Sequence, residues 1–376
     1  MPLLGQRRGQ RQRLRRHRRD HLEADLELLQ RHTSHPADWV DHSQHAMGGH
    51  LGFRVTLTEV LSEASEHELR TVLQRVGARV DRWAALLTRH HTSQLTRLNE
   101  ESGSTVRIGP TMAAVLSWSA DAWEATGGLV NVAMLDERIA AETGTPTRGQ
   151  ALSRDWRLEL EHWRHDDHAH LRGGLLHRPA GLRLDLDGVG KGWIADRAAA
   201  LLARLLDAKV RAGVIPEWRS CFVDGDGDIA IQNRGGAETE VRIEVPRISA
   251  ATIGSIRVSG AVAGIATSGT GVHHWGGRHH LIDPQTGEPA DSGIAQATVV
   301  GASAREAEAW AKSIVIGGAA LIRRAEAAGV HRIVAVQTDG KIITAPALRQ
   351  FDTQSQFAPS GPLAADNAPG ATVHVQ

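Results

Sequence analysis

Ile333-Val334-Ala335-Val336-Gln337-Thr338-Asp339-Gly340-Lys341-Ile342-Ile343-Thr344 reads as two short apolar strands folded back about an Asp-Gly turn. Asp-Gly between strand-like runs is the strongest short-range signal for a tight hairpin, because such turns need residues that tolerate a left-handed backbone. A hairpin closing an alternating pattern argues against a purely parallel sheet. Upstream, Arg54-Val55-Thr56-Leu57-Thr58 alternates like a strand, and Leu69, Val72, Leu73, Val76, Val80, Trp83 and Leu87 mark one face of a long helix. A second helix is expected across Met112 to Glu124. Leu182 to Leu186 reads as a strand entering, through a glycine turn, a helix from Trp193 to Leu206. Short strands at Cys221 to Val223, Val241 to Val245 and Ala295 to Val300 precede a helix from Ala304 through Ala327. The class this predicts is α+β, with mixed or antiparallel sheets packed with helices.

The 376 residues carry no formal net charge and 41% apolar residues, an ordinary globular composition with no global pull toward nucleic acid or membrane. Eight arginines nevertheless fall between Arg7 and Arg19 with no acid among them. Residues 1–45 therefore read as a basic, disordered arm that ends in a short helix at Leu22, Leu26 and Leu29. The arm is followed by His21-Leu22-Glu23-Ala24-Asp25 and not by an apolar run, so export is not expected. The single cysteine, Cys221, leaves no internal disulfide. With no membrane span in the sequence, these features give the expectation of a cytoplasmic chain. Residues 349–376, with scattered Pro, Gln, Ser, Gly and Asn and little periodicity, read as a disordered tail.

Four segments carry chemistry. Ala266-Thr267-Ser268-Gly269 reads as a small-residue turn exposing hydroxyls and amides, and His280-Leu281-Ile282-Asp283-Pro284 places an imidazole before a rigid turn. Together they predict an anion pocket with a proton-transfer group beside it. Asp185-Leu186-Asp187-Gly188-Val189-Gly190-Lys191-Gly192 opens a helix, where free amides and the dipole favour negative charge. It matches neither a P-loop nor a dinucleotide fingerprint, and by itself reads equally as a structural turn. Asp224-Gly225-Asp226-Gly227-Asp228 starts like a calcium loop but has Ile229 and Gly235 where glycine and glutamate are required. It reads instead as a turn whose last carboxylate reaches a neighbouring loop. His273, His274, His279 and His280 do not suit a four-histidine metal centre, because neighbours on an extended segment face opposite ways. One histidine of the second pair is expected to serve a site. Glu308 and Lys312, one helical turn apart among small apolar residues, suit a site and a surface ion pair equally.

With these residues in hand, the chain resembles the ApbE family, the FAD:protein FMN transferases once described as thiamine biosynthesis lipoproteins. The resemblance runs over roughly residues 46 to 320. Ala46-Met47-Gly48-Gly49 stands where the family has an Ala-Met-Gly-Thr type entry. Ser93-Gln94-Leu95-Thr96-Arg97-Leu98-Asn99, Thr126-Gly127-Gly128-Leu129-Val130-Asn131, Leu184-Asp185 through Asp196-Arg197, and Gly227-Asp228-Ile229 follow in the family's order, and the Thr267 and His280 motifs complete the set.

The resemblance implies a T-fold-like architecture over residues 46–348. It also implies transfer of FMN from FAD to a Thr or Ser hydroxyl of a flavin-acceptor protein, with release of AMP. It places Met47, Asn131, Asp185, Lys191, Thr267, Ser268, Gly269 and His280 on FAD and makes His280 and Asp283 catalytic. It puts the Gly188 backbone and Glu308 on a magnesium ion. The chain departs from the family at the metal helix, where Glu308 and Lys312 replace an Asp and a Thr. Asn131 replaces a frequent Asp, Asp226 a frequent Gly, and there is no tyrosine to line the flavin. An FAD pyrophosphatase and a non-catalytic FAD-binding protein of the same fold are the alternatives. Nucleic-acid binding through the arm is not expected, because no basic stripe is evident in the sequence of the folded body.

Overall fold

A computed structural model describes residues 38–145, 154–165, 168–245, 248–271, 273–275, 277–346 and 371–375. In chain order its elements are β1 (Trp39–Ala46), β2 (Gly49–Leu57), α1 (Glu63–Leu87), α2 (Gln94–Glu100), β3 (Thr105–Ile108), α3 (Pro110–Thr126), α4 (Leu135–Thr143), β4 (Arg157–His165), β5 (His168–His177) and α5 (Gly190–Arg211). Then come β6 (Trp218–Gly225), β7 (Asp228–Asn233), β8 (Thr239–Val245), β9 (Ile248–Val258), β10 (Val262–Gly269), β11 (His274–Trp275), β12 (Arg278–His279), β13 (Ile294–Gly301), α6 (Ala304–Gly317), α7 (Ala320–Ala327), β14 (Arg332–Gln337), β15 (Ile342–Ala345) and β16 (Ala371–Val375).

An eight-stranded sheet in the order β1-β2-β6-β7-β10-β13-β14-β15 forms the centre, and each pairing in it is antiparallel. Its last hairpin pairs Val336 with Ile342, and Gly340 takes the left-handed conformation (φ 86°) that the Asp-Gly turn requires. The apolar stripe of α1 packs with α5 and strands β2 and β6 on one face, and α6 covers β13 and β14 on the same side. On the opposite face Ile229, Ile231 and Ile265 pack against Val241 and Ile243 of β8, which pairs with β9. Ser62 caps α1, Ser93 forms a capping box on α2, and Ser303 caps α6, so local polar residues fix where these helices begin.

Several boundaries differ from the sequence reading. β1 begins at Trp39 and pairs with β2 along its length, so residues 39–45, expected in the arm, form an edge strand. The arginine block lies outside the described residues. In the expected tail, residues 349–370 are likewise outside the described residues, whereas Ala371–Val375 pairs in parallel with β8. Leu182 to Leu186 is extended but joins no sheet. Asn99 instead holds it, donating to the Leu184 carbonyl and accepting its N–H, both at 2.8 Å, while the Asp185 N–H donates to the Val132 carbonyl. The helix expected from Ala304 through Ala327 is two helices, broken at Gly318, whose φ of 81° an L side chain rarely adopts.

Candidate active site

The turn from Asp185 to Gly192 is the hub, because it carries an acid into one charged cluster and a lysine into another. On its first side Asp185 is buried and accepts the Asp187 N–H at 3.0 Å. Arg89, just beyond the end of α1, lies 3.6 Å from Asp185, 3.2 Å from Asp187 and against Glu142 of α4. Burial opposes the charge of Arg89, but Glu142, Asp185 and Asp187 more than offset it, so its pKa is raised. Burial and the neighbouring Asp187 push the Asp185 carboxyl above its usual range, against the pull of Arg89 and Arg138. Arg138 is 3.2 Å from Glu142 and lies over the Trp275 ring at 4.9 Å. Its buried Nη1 has no hydrogen-bond partner among the described residues.

On the second side Lys191 donates to the Asp226 carbonyl at 3.3 Å and lies 3.5 Å from the carboxylate of Asp228, which is 1% exposed. Burial works against this ammonium, yet Asp228, Asp226 and Glu308 together raise its pKa. The last carboxylate of the Asp-Gly-Asp-Gly-Asp turn thus reaches the first turn of helix α5, and not a neighbouring loop. Met47 tops the β1–β2 turn at φ 55°, its Cε beside Gly225 at the end of β6. Asp226 covers Gly49, where a Cβ would collide with its carboxylate.

Glu308 and Lys312 form a buried pair, not a surface one. Lys312 Nζ donates to Glu308 Oε1 at 2.7 Å and the Gly192 N–H donates to Oε2 at 3.0 Å. Burial raises the Glu308 pKa, Lys312 lowers it, and Asp228 raises it, leaving the carboxyl above its usual range. The Lys312 stem reaches the Gly188 backbone, since a Cβ there would sit 4.0 Å from Cδ. These residues do not fit a magnesium site. Both Glu308 oxygens already accept hydrogen bonds, and an ammonium stands beside the Gly188 turn where an oxygen ligand would be needed. Nor is there, among the described residues, a group of three or more His, Cys, Asp or Glu side chains that could hold a metal ion.

The Ala266-Thr267-Ser268-Gly269 stretch is the end of β10 and not a turn. Alternation sends the two hydroxyls to opposite faces of the sheet. Thr267 bonds Thr298 at 2.8 Å on the β8 side, while Ser268 shares the α6 side with Ala266, and Gly269 pairs with Gln296. Asn131 closes a local turn by accepting the Ala133 N–H at 2.9 Å. His279 has both ring nitrogens engaged, one on the Ala290 carbonyl at 2.9 Å and one on the Leu281 N–H at 3.2 Å, and burial lowers its pKa. His280 differs: its Nδ1 is buried with no hydrogen-bond partner among the described residues, and its ring meets His273 edge-on at 5.2 Å. Asp283 accepts the Gln285 N–H at 2.9 Å and shapes the turn, with no hydrogen bond to His280. The loop packs on α4 through Ile282, Met134 and Ala141, which brings His280 to the helix that carries Arg138 and Glu142.

Sequence reading missed Arg89, Arg138 and Glu142, and it named Asp228 without its pairing to Lys191. Only Arg138 and Glu142, four apart on a helix, left a signal.

Fold and site together define a helix-covered antiparallel-sheet protein whose buried charges converge on one glycine turn. A model of the ApbE family matches residues 51–331, and the chain belongs to that family. It is 29% identical to the FAD:protein FMN transferase of Escherichia coli (strain K12) over 180 residues, 45% of this chain and 48% of that protein. It is also 29% identical to the FAD:protein FMN transferase of Salmonella typhimurium over 142 residues, 36% of this chain and 37% of that protein. The chain thus spans about half the length, or less, of these curated relatives. Its fold is similar to that of the ApbE protein from Thermotoga maritima, with a TM-score of 0.61 at 18% identity over 81% of this chain and 96% of that one. For the flavin transferase ApbE from Vibrio cholerae the TM-score is 0.57 at 19% identity, over 83% and 98% of the two chains.

Proposed function

We propose that this chain is an FAD:protein FMN transferase. An acceptor Thr or Ser hydroxyl attacks the FMN-side phosphorus of FAD, the phosphoanhydride bond breaks, and AMP leaves with the bridging oxygen while FMN stays as a phosphodiester. The observation that carries this reading is His280, a half-buried imidazole whose buried Nδ1 has no hydrogen-bond partner among the described residues, while its neighbour His279 has both ring nitrogens engaged. A group held in this way is suited to take the hydroxyl proton. Such transfers otherwise depend on positioning and on charge neutralisation. Lys191 and Lys312 supply two fixed cations near the Gly188 turn, and Ser268 supplies a hydroxyl donor. Lys312 takes the place of metal charge in this reading, so magnesium is not part of it.

Met47 and Asn131 would lie against FAD, and Asp185 would act in the same site through Arg89. Asp283 would shape the His280 turn. Among the described residues no helix is long and apolar enough to cross a membrane. A cytoplasmic placement belongs to the proposal and rests on the basic arm and the single cysteine. Chromatography of nucleotides after incubation with FAD, with and without a candidate acceptor, tests the reading. AMP that appears only with acceptor supports transfer. AMP with free FMN in its absence makes the chain a pyrophosphatase, and unchanged FAD in both makes it a binding protein.

A further inference from the structure

The outer faces of α1 and α5 carry a charged feature that the site does not use. The two helices run antiparallel, with Lys209 on Glu68 (2.6 Å) at one end and Trp83 edge-on to Trp193 (6.2 Å) toward the other. At that second end Arg89 and Lys191 enter the site. Between the helices lies a groove of about 550 Å³, rimmed by Arg75, Arg79 and Arg82 on one side and Arg197 and Arg204 on the other. Trp83, Leu201 and Leu205 form its floor. No acid lies in ion-pair contact with any of the five arginines among the described residues. The guanidiniums of Arg79 and Arg197 lie 5.3 and 5.8 Å from the Trp83 ring centre, and Arg197 also lies 5.3 Å from that of Trp193. Burial and the like charges of Arg79, Arg204 and Arg305 lower the Arg197 pKa, a sign of how crowded the cations are. Like charges at helical spacing weaken a helix, and among the described residues no carboxylate pairs with these arginines to offset them.

We propose that this groove docks an acidic helical segment, anchored by apolar side chains, of the acceptor protein. The identity of that partner rests on the transferase reading; its chemistry rests on the groove. An apolar floor between two basic rims fits a helix with one apolar face and acidic flanks. Single-stranded nucleic acid would need an open aromatic face for stacking, but Trp83 is 6% exposed and lies under Arg79 and Arg197. A lipid surface would meet a concave groove without an apolar side chain projecting from it. Arg197 is six residues from Lys191 on α5, about 9 Å at ~1.5 Å per residue, so a docked segment ends beside the proposed site. The arginines come from two helices more than a hundred residues apart in the chain, so the two rims meet only in the fold.

The test uses the full chain and a fluorescein-labelled synthetic peptide with leucines along one helical face and glutamates elsewhere, read by anisotropy. A peptide of the same composition in scrambled order, a short DNA duplex and vesicles containing phosphatidylglycerol are run beside it. Saturable peptide binding is expected, weakened by salt, and weakened about tenfold or more by combining Arg79→Gln, Arg197→Gln and Arg204→Gln. FAD affinity, which reports an intact fold and site, should stay unchanged, and Arg197→Gln alone should give a smaller loss of the same kind. Absence of peptide binding, equal binding of the scrambled peptide, or a loss in the triple variant confined to DNA or vesicles overturns the proposal. Because the readout needs no turnover, peptide binding by a chain that transfers no FMN would uphold the groove's chemistry while removing the acceptor as its source.

Discussion

Lys312→Met probes the buried pair on which the charge balance of the site depends. Glu308 is fully buried and the Lys312 side chain is 11% exposed, with 2.7 Å between their charged atoms. Without the ammonium, Glu308 keeps the Gly192 N–H, and Asp228 acts on it as a like charge. Breaking a buried pair by removing one partner typically costs about 3–5 kcal/mol, because a charge is left uncompensated. Burial already raises the Glu308 pKa, so the variant can take up a proton there, which places the loss near the lower limit, about 3 kcal/mol. For a body this size that is a fall in Tm on the order of 5 °C. A raised carboxyl pKa means that the folded state binds the proton more tightly than the unfolded one. Stability is therefore fullest below the ordinary carboxyl pKa and falls as pH rises through the raised value. The deficit of Lys312→Met relative to the parent should accordingly shrink on acidification, and adding Glu308→Gln should recover most of it. Urea denaturation of the parent, both single variants and the double, at about pH 5.5 and pH 7.5, gives the coupling directly. A Lys312→Met loss below about 0.5 kcal/mol at both pH values would show that the pair behaves as an exposed one.

His280→Ala should lower FMN transfer by about 10²–10⁴-fold with FAD affinity little changed, which initial rates and flavin titration measure. The parent should turn over in excess chelator, whereas Lys312→Thr should lose that activity unless magnesium is added; equal chelator sensitivity of the two would remove Lys312 from the charge role. The Asp224 carboxyl is pushed up to about 7 by burial and by Asp226 and Asp228, against the Gly227 N–H it accepts at 2.8 Å. The parent should therefore lose stability as pH rises from about 4 to 7, and Asp224→Asn, which keeps the acceptor oxygen, should flatten that slope in thermal melts.

Elements set by local chemistry were legible in the sequence. The β14–β15 hairpin follows from Asp339-Gly340 between alternating runs, and α1 from an unbroken apolar stripe. Elements set by distant partners were not. Leu182 to Leu186 alternates like a strand but is held by Asn99, more than eighty residues earlier, so it joins no sheet. Thr267 and Ser268 are small enough for a turn, yet the apolar run before them commits both to β10. The break between α6 and α7 was hidden because a glycine pair inside an apolar helix pattern reads either way until its backbone angle is known. For the candidate site, the segment from Asp185 to Gly192 and the Glu308 and Lys312 positions were singled out in the sequence, each with a structural reading beside the functional one. Arg89 became visible only through the side chains it pairs with, and Asp228, singled out in the sequence, gained its partner Lys191 only in the fold.

The central claim is covalent transfer of FMN, and intact-mass spectrometry of a candidate acceptor domain incubated with FAD and this chain tests it most directly. The account predicts that the acceptor gains the mass of one esterified FMN while AMP accumulates in equal amount, and that replacing the target hydroxyl abolishes both. An unmodified acceptor alongside free FMN and AMP, or alongside intact FAD, would contradict it.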